Sequence, residues 1–176
     1  MGSEVSIGFE HEAAPASFAA SFVKSESFKD LFREGMALIE ETASYLDGPG
    51  RSESAALGRS GALAYASESM RLTTRLMQIA SWLLVQRAVA EGELTHQQAG
   101  REKDRVKLVE QSVGLPPGEF EALPERLREL VALSLRLHAR VMHLDRLVMA
   151  EATPRPARPS AITAQQDLLR SAFGGR

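Results

Sequence analysis

The stretch MRLTTRLMQIASWLLVQRAV, residues 70–89, restricts the fold more than any other. It lies inside a helical pattern that begins among Ser52 to Ala56 and runs to Glu91, with DGPG (47–50) before it and EGEL (91–94) after it. A helix of about 35 residues dominates a chain of 176 and requires long partners to pack along it. Its most apolar window, Leu76 to Gln86, holds eleven uncharged residues between Arg75 and Arg87, about half of the roughly 20 that a bilayer span needs. No membrane span is expected, so protein must cover this apolar surface.

Projection at about 100° per residue separates the apolar side chains into stripes. Leu72, Leu76, Ile79, Leu83 and Ala90 form one, with Gln86 as a gap. Met70, Met77, Leu84 and Ala88 form a second, about 130° round the helix, and Trp82, Val85 and Val89 extend a third flank. This helix has neighbours on several sides.

The pattern is already helical from about Phe18. Phe28, Leu31, Phe32, Met36, Ile39, Ala43 and Leu46 keep i, i+3, i+4, i+7 spacing until DGPG stops the helix. Thr95 followed by Gln98 resembles a capping box and opens a mostly polar helix to about Ser112. GLPPGEFEALP (114–124) breaks the chain again. Pro124 suits the first turn of a last long helix reaching about Ala150, because its missing N–H would be unpaired there in any case. That helix carries one seam of Leu130, Leu137, Val141, Leu144 and Val148, and a second of Val131, Leu135, Met142 and Met149 on which His138 also lies.

The expected fold is therefore all-α, an antiparallel three-helix bundle with a shorter polar fourth helix. Its domain spans residues 17–151, between a flexible leader (1–16) and a disordered tail (152–176). Aromatic residues are only 6% of the chain, which fits helices better than sheets. The leader has no basic segment followed by an apolar run, so no signal peptide is expected and the cytoplasm is the expected compartment.

Chemistry is scarce. There is no Cys, which removes thiolate metal sites and cysteine nucleophiles together. The histidines are His11, His96, His138 and His143. His138 and His143 are five apart and fall on different helix faces, and Glu93 with His96 is a lone Glu-x-x-His where a di-iron bundle needs two. His138, on an apolar seam, reads as a core or interface residue. GPGRSESAALGRSG lacks the Gly-Lys-Ser/Thr ending of a phosphate loop, and GRSG lacks the strand context of a nucleophile elbow. Neither an enzyme nor a cofactor or metal site is expected. A net charge of −2 gives no field toward nucleic acid, and REKDRVK (101–107) mixes signs as a wet helix face does.

Binding is better supported. Leaving four or five Leu or Met side chains exposed forfeits about 6 to 15 kcal/mol, at about 1.5 to 3 each, which is comparable to the stability of a whole domain. A homodimer contact is the simplest use of the surplus, and Met70, Met77, Leu84, Trp82, Leu135 and Met142 are its candidate residues, as a dimer or partner face. In the tail, ATPRPARPSA reads as an extended linker. The AITAQQDLLRSAF that follows places Ile162, Leu168, Leu169 and Phe173 on one helical face, a motif suited to a groove on a partner.

YLDGPGR (45–51) and LAYASESMRLTTRLMQIASWLLVQRAVAEGE (63–93) resemble the regulator of CtrA degradation family, RcdA, of alphaproteobacteria. The likeness is close over the first two long helices, looser over 95–150 and weak in leader and tail. It implies a dimeric three-helix bundle acting as an adaptor for the ClpXP protease in the cell cycle. It further implies work with a CpdR-like partner to deliver proteins such as CtrA, a docking role for the C-terminal tail, a cytoplasmic place with recruitment to a cell pole, and no catalytic residue. Without the resemblance, the residues alone leave two other classes open: a helical dimeric regulator that binds nucleic acid, and a purely structural helical dimer.

Overall fold

Two helix starts, at Ser25 and Thr95, are set by side chains that satisfy backbone groups a helix end leaves unpaired. The computed structural model describes residues 18–105, 108 and 114–152. Among them are seven helices and no strand: α1 (Phe18–Val23), α2 (Glu26–Asp47), α3 (Pro49–Ala56), α4 (Arg59–Ala90), α5 (His96–Arg105), α6 (Pro117–Glu121) and α7 (Glu125–Ala152). The all-α class is as expected. The leader boundary falls outside the described residues, as does the part of the expected polar helix beyond Arg105, and the described residues end with α7 at Ala152, the first residue of the expected tail.

Ser25 separates α1 from α2. Its hydroxyl accepts from the Phe28 N–H at 3.3 Å and donates to the Phe22 carbonyl at 2.6 Å, so one side chain closes the first helix and caps the second. DGPG ends α2 as expected, but Pro49 also starts α3 at once, since a first-turn proline lacks only an N–H that has no partner there. The expected single helix from 52 to 91 is broken at Leu57, which is extended (φ −74°, ψ 145°) ahead of Gly58. At the far end Gly92 takes a positive φ of 77°. Its N–H reaches the Val89 carbonyl at 3.1 Å and that of Glu93 the Ala88 carbonyl at 2.9 Å, the paired bonds of a Schellman cap. The capping box at Thr95 is present and reciprocal: the Thr95 N–H donates to Gln98 Oε1 at 2.9 Å and the Gln98 N–H to Thr95 Oγ1 at 3.2 Å.

The three long helices α2, α4 and α7 share one core, with Leu31, Leu72, Ile79, Leu83, Leu127, Leu130, Leu137 and Val141 almost fully buried. Their directions follow from the cross-helix contacts. Helix α2 runs against α4, because Gly35 faces Leu83 while Phe32, one turn earlier, lies under the Arg87 guanidinium at 5.1 Å. It also runs against α7, where Arg126 pairs with Glu41 and Arg140 with Glu34. Helices α4 and α7 run parallel: Arg75 donates to Ser134 at 2.6 Å and Trp82 to Asp145 at 2.8 Å, both numbers rising together. The expected alternation of successive long helices therefore holds for α2 with α4 but not for α4 with α7. A chain joined only by tight turns would make the first and third helices parallel. Here Gly114 lies against the Arg71 side chain, well back from the end of α4, so the chain has returned toward the start of α4 before α7 begins. The polar helix α5 belongs to this return path.

Gly50 sits at the corner of α2, α3 and α4. A Cβ on it would overlap the Tyr65 hydroxyl and stand 2.8 Å from the Tyr45 carbonyl. Backbone cannot retreat as a side-chain tip can, so Gly50→Ala is expected to lower stability by about 1–3 kcal/mol, an overpacking cost. A urea melt followed by circular dichroism checks this, and an unchanged midpoint would contradict it.

Candidate partner-binding faces

Helix α4 is buried at Tyr65, Leu72, Ile79 and Gln86 and on either side of that line, including Glu68, Arg75 and Trp82. Its opposite side carries Leu63, Met70, Met77 and Leu84, which remain 73%, 72%, 65% and 53% exposed. These four are spaced seven residues apart, and a seven-residue repeat drifts only about 20° per step on a straight α-helix. They form one apolar line about 32 Å long at 1.5 Å per residue.

The residues beside this line are small. Thr73, Thr74 and Ser81 turn their hydroxyls back to the carbonyls of Ser69, Met70 and Met77 at 2.9, 2.9 and 2.8 Å. Their donors are thus satisfied within the helix, which leaves little polar cost when the face is covered. Along one edge an apolar groove of about 260 Å³ runs between α2 and α4, with Ile39, Ala43 and Leu46 facing Thr73, Met77 and Ala80.

Of the six expected face residues, Met70, Met77 and Leu84 lie together on this line. Leu135 and Met142 belong to α7 and are half-buried, Leu135 against the core. Trp82 needs correction. It is 2% exposed, and its indole N–H donates to Asp145, so it is a bond between α4 and α7 and is not available to a partner. Its polar edge explains the position, because a buried indole N–H requires an acceptor. The second α7 seam also divides, with Val131 and His138 buried and Met149 exposed. Leu63 extends the face beyond the expected set, and its place seven residues before Met70 is the signal that could have found it. Ile162, Leu168, Leu169 and Phe173 lie outside the described residues.

Arg75 is the other surprise. It is wholly buried on α4 with Glu68 one heptad before it, and Nη1 donates to Ser134 Oγ, which in turn donates to the Val131 carbonyl at 2.7 Å. Burial pulls the guanidinium below its ordinary pKa, while the nearby Glu68 carboxylate pushes back. Among the described residues no three His, Asp or Glu side chains are grouped to hold a metal ion, and no helix is long and apolar enough to cross a membrane.

Residues 19–173 match the model of a family described as a protein of unknown function, DUF1465. The chain belongs to this family. It is also similar to RcdA from Caulobacter crescentus CB15, whose crystal structure matches with 50% sequence identity and a TM-score of 0.60, over 73% of this chain and 96% of that one. No curated protein matches. An RcdA-like chain in sequence and in fold thus presents a helix with one face in the core and a long apolar line on the other.

Proposed function

We propose that this chain is a non-catalytic adaptor that acts as a homodimer and helps deliver cell-cycle regulators such as CtrA to the ClpXP protease, together with a CpdR-like partner. The observation that carries the reading is the 50% identity to RcdA across nearly all of that chain. The exposed α4 line supports it, since an adaptor works by protein contacts and this face has the chemistry of one. On this reading the α4 line is the contact between copies, and Ile162, Leu168, Leu169 and Phe173 of the tail dock on the protease machinery, in the cytoplasm and at the cell pole where that machinery is recruited.

The test is a reconstituted reaction with ClpXP, a CpdR-like partner and CtrA as cargo. Adding the chain is expected to speed cargo loss several-fold, with no cargo loss when the protease is omitted. Deleting residues 155–176 is expected to remove that gain while leaving the helical circular dichroism signal within about a tenth of the full chain's, because the three core helices end before the deletion. Equal cargo turnover with and without the chain would sink the adaptor reading; equal turnover with and without the tail would sink the tail's role alone.

A further inference from the structure

A second concave site lies at the end of the bundle where α1 meets α2 and α4 finishes. It encloses about 450 Å³, within the range of pockets that hold peptide side chains or small ligands. Val23, Phe28, Phe32 and Ala90 give it an apolar floor, and Lys24, Lys29 and Arg87 stand around it with Glu91 as the lining carboxylate. The aromatic floor is held rigidly, with Phe22 edge-on to Phe28 at 5.8 Å and Phe28 tilted against Phe32 at 6.4 Å.

Two of the three cations are already engaged: Lys29 with Glu26 at 2.7 Å and Arg87 with Glu91 at 2.8 Å, the latter also over the Phe32 ring. Lys24, with no ion pair among the described residues, adds a positive charge beside the N-terminus of α2, where helix N–H groups also favour an anion. The pocket therefore suits a segment that brings apolar side chains with carboxylates next to them.

Both ends of the sequence start from this end of the bundle, but they differ in charge. Residues 153–176 carry Arg155, Arg158, Arg170 and Arg176 against Asp167 alone. Residues 1–23 carry Glu4, Glu10 and Glu12 and no Lys or Arg. Within them EVSIGFEHE (4–12) alternates apolar Val5, Ile7 and Phe9 between its glutamates, so that in an extended conformation the three share one face. Eight residues connect Phe9 to residue 17, a reach of up to about 27 Å, and α1 then ends at the pocket wall in Val23. A tether of that length supplies an effective concentration on the order of millimolar, enough to fill a site of modest intrinsic affinity.

We infer that residues 4–12 of the chain dock in this pocket in cis, with Val5, Ile7 and Phe9 on the Phe28 and Phe32 floor and the glutamates toward Lys24 and Arg87. An occupied pocket is closed to any partner peptide of the same acidic and apolar chemistry. The inference stands apart from the adaptor reading, because it concerns the other end of α4 and needs no protease.

The chain has no native Cys, so disulfide trapping in the full-length protein tests it directly. Ile7→Cys with Ala90→Cys, and Val5→Cys with Ala90→Cys as a second pair, place the thiol on the leader face that meets the floor and each keep the other two apolar residues. Mild oxidation followed by a non-reducing gel and mass spectrometry is expected to show an intramolecular bond at least fivefold more abundant than in Ile7→Cys with Ser44→Cys. Ser44 serves as the control because it is on α2 about 28 Å from that helix's start at 1.5 Å per residue. Adding Lys24→Glu and Arg87→Glu is expected to cut the trapped fraction at least threefold. Equal trapping at Ala90→Cys and Ser44→Cys, a bond that joins two chains, or stronger trapping of Ser171→Cys from the tail would each overturn the assignment.

Discussion

Arg75→Met is expected to lower the unfolding free energy by about 3–5 kcal/mol, the cost of breaking a buried charge pair by removing one member. Methionine roughly fills the volume, so the loss is electrostatic in origin. Glu68 is completely buried, and neither of its carboxylate oxygens has a hydrogen-bond donor among the described residues. The field of Arg75 is therefore what compensates it, the same interaction that raises the Arg75 pKa against its burial. Without the guanidinium the buried carboxylate loses that compensation and has no hydrogen-bond donor among the described residues. For a domain of this size the fall in melting temperature is about 6–20 °C, at about 2–4 °C per kcal/mol. The double variant Glu68→Gln with Arg75→Met removes both charges and is expected to recover about 2 kcal/mol or more of the loss, since neutral buried groups are cheaper than one orphaned ion. Urea melts of the two variants and the parent settle the matter. A single variant as stable as the parent, or a double variant as unstable as the single, would show that Glu68 does not depend on Arg75.

Arg75 also shows where the sequence stops being readable. Apolar periodicity located all three long helices and the inward line of α4, because Leu72, Leu76, Ile79 and Leu83 must face a core whatever the topology. The Thr95 and Gln98 box was legible because its two hydrogen bonds are local. Arg75 falls between buried neighbours at helical spacing, but a charge reads as solvent-facing until a Ser134 from 59 residues away accepts its hydrogen bond. Trp82 was misplaced for the same reason: Asp145, its acceptor, is 63 residues distant. The break at Leu57 depends on one extended residue ahead of Gly58, in a stretch that Gly58 and Gly61 weaken without fixing where it stops, and the parallel course of α4 and α7 depends on the return that places Gly114 at Arg71. Neither leaves a periodic trace. The outer line of α4 was legible in Met70, Met77 and Leu84 because they exceed what one core can absorb, whereas which molecule covers them is a property of the partner.

The proposed contact between copies predicts the second large effect. Met77→Glu together with Leu84→Glu is expected to convert the dimer to a folded monomer, raising the dissociation constant by about 10³-fold or more. Both positions are more than half exposed in the single chain, so the substitutions meet solvent there and the monomer's own stability is expected to change by about 0.5 kcal/mol at most, as for other surface changes. In a two-fold contact every substitution occurs twice, so four carboxylates enter a face lined with Leu63, Met70 and the small side chains between Ala66 and Ser81. Losing about 1 kcal/mol at each of the four positions already gives about 4 kcal/mol, which is the stated 10³-fold, before any charge repulsion is added. Light scattering during size-exclusion chromatography at about 10 µM reads the mass, and far-ultraviolet circular dichroism reads the fold. A variant that keeps its helix signal and elutes at half the parent's mass places the contact on α4. One that stays dimeric removes α4 from the interface and turns attention to Leu133, Leu147 and Met149, the exposed apolar residues of α7. The Thr73, Thr74 and Ser81 hydroxyls sharpen the expectation, because groups bonded within their own helix lose nothing when a second helix covers them, and a face so prepared is destabilised mainly by the charge placed in it.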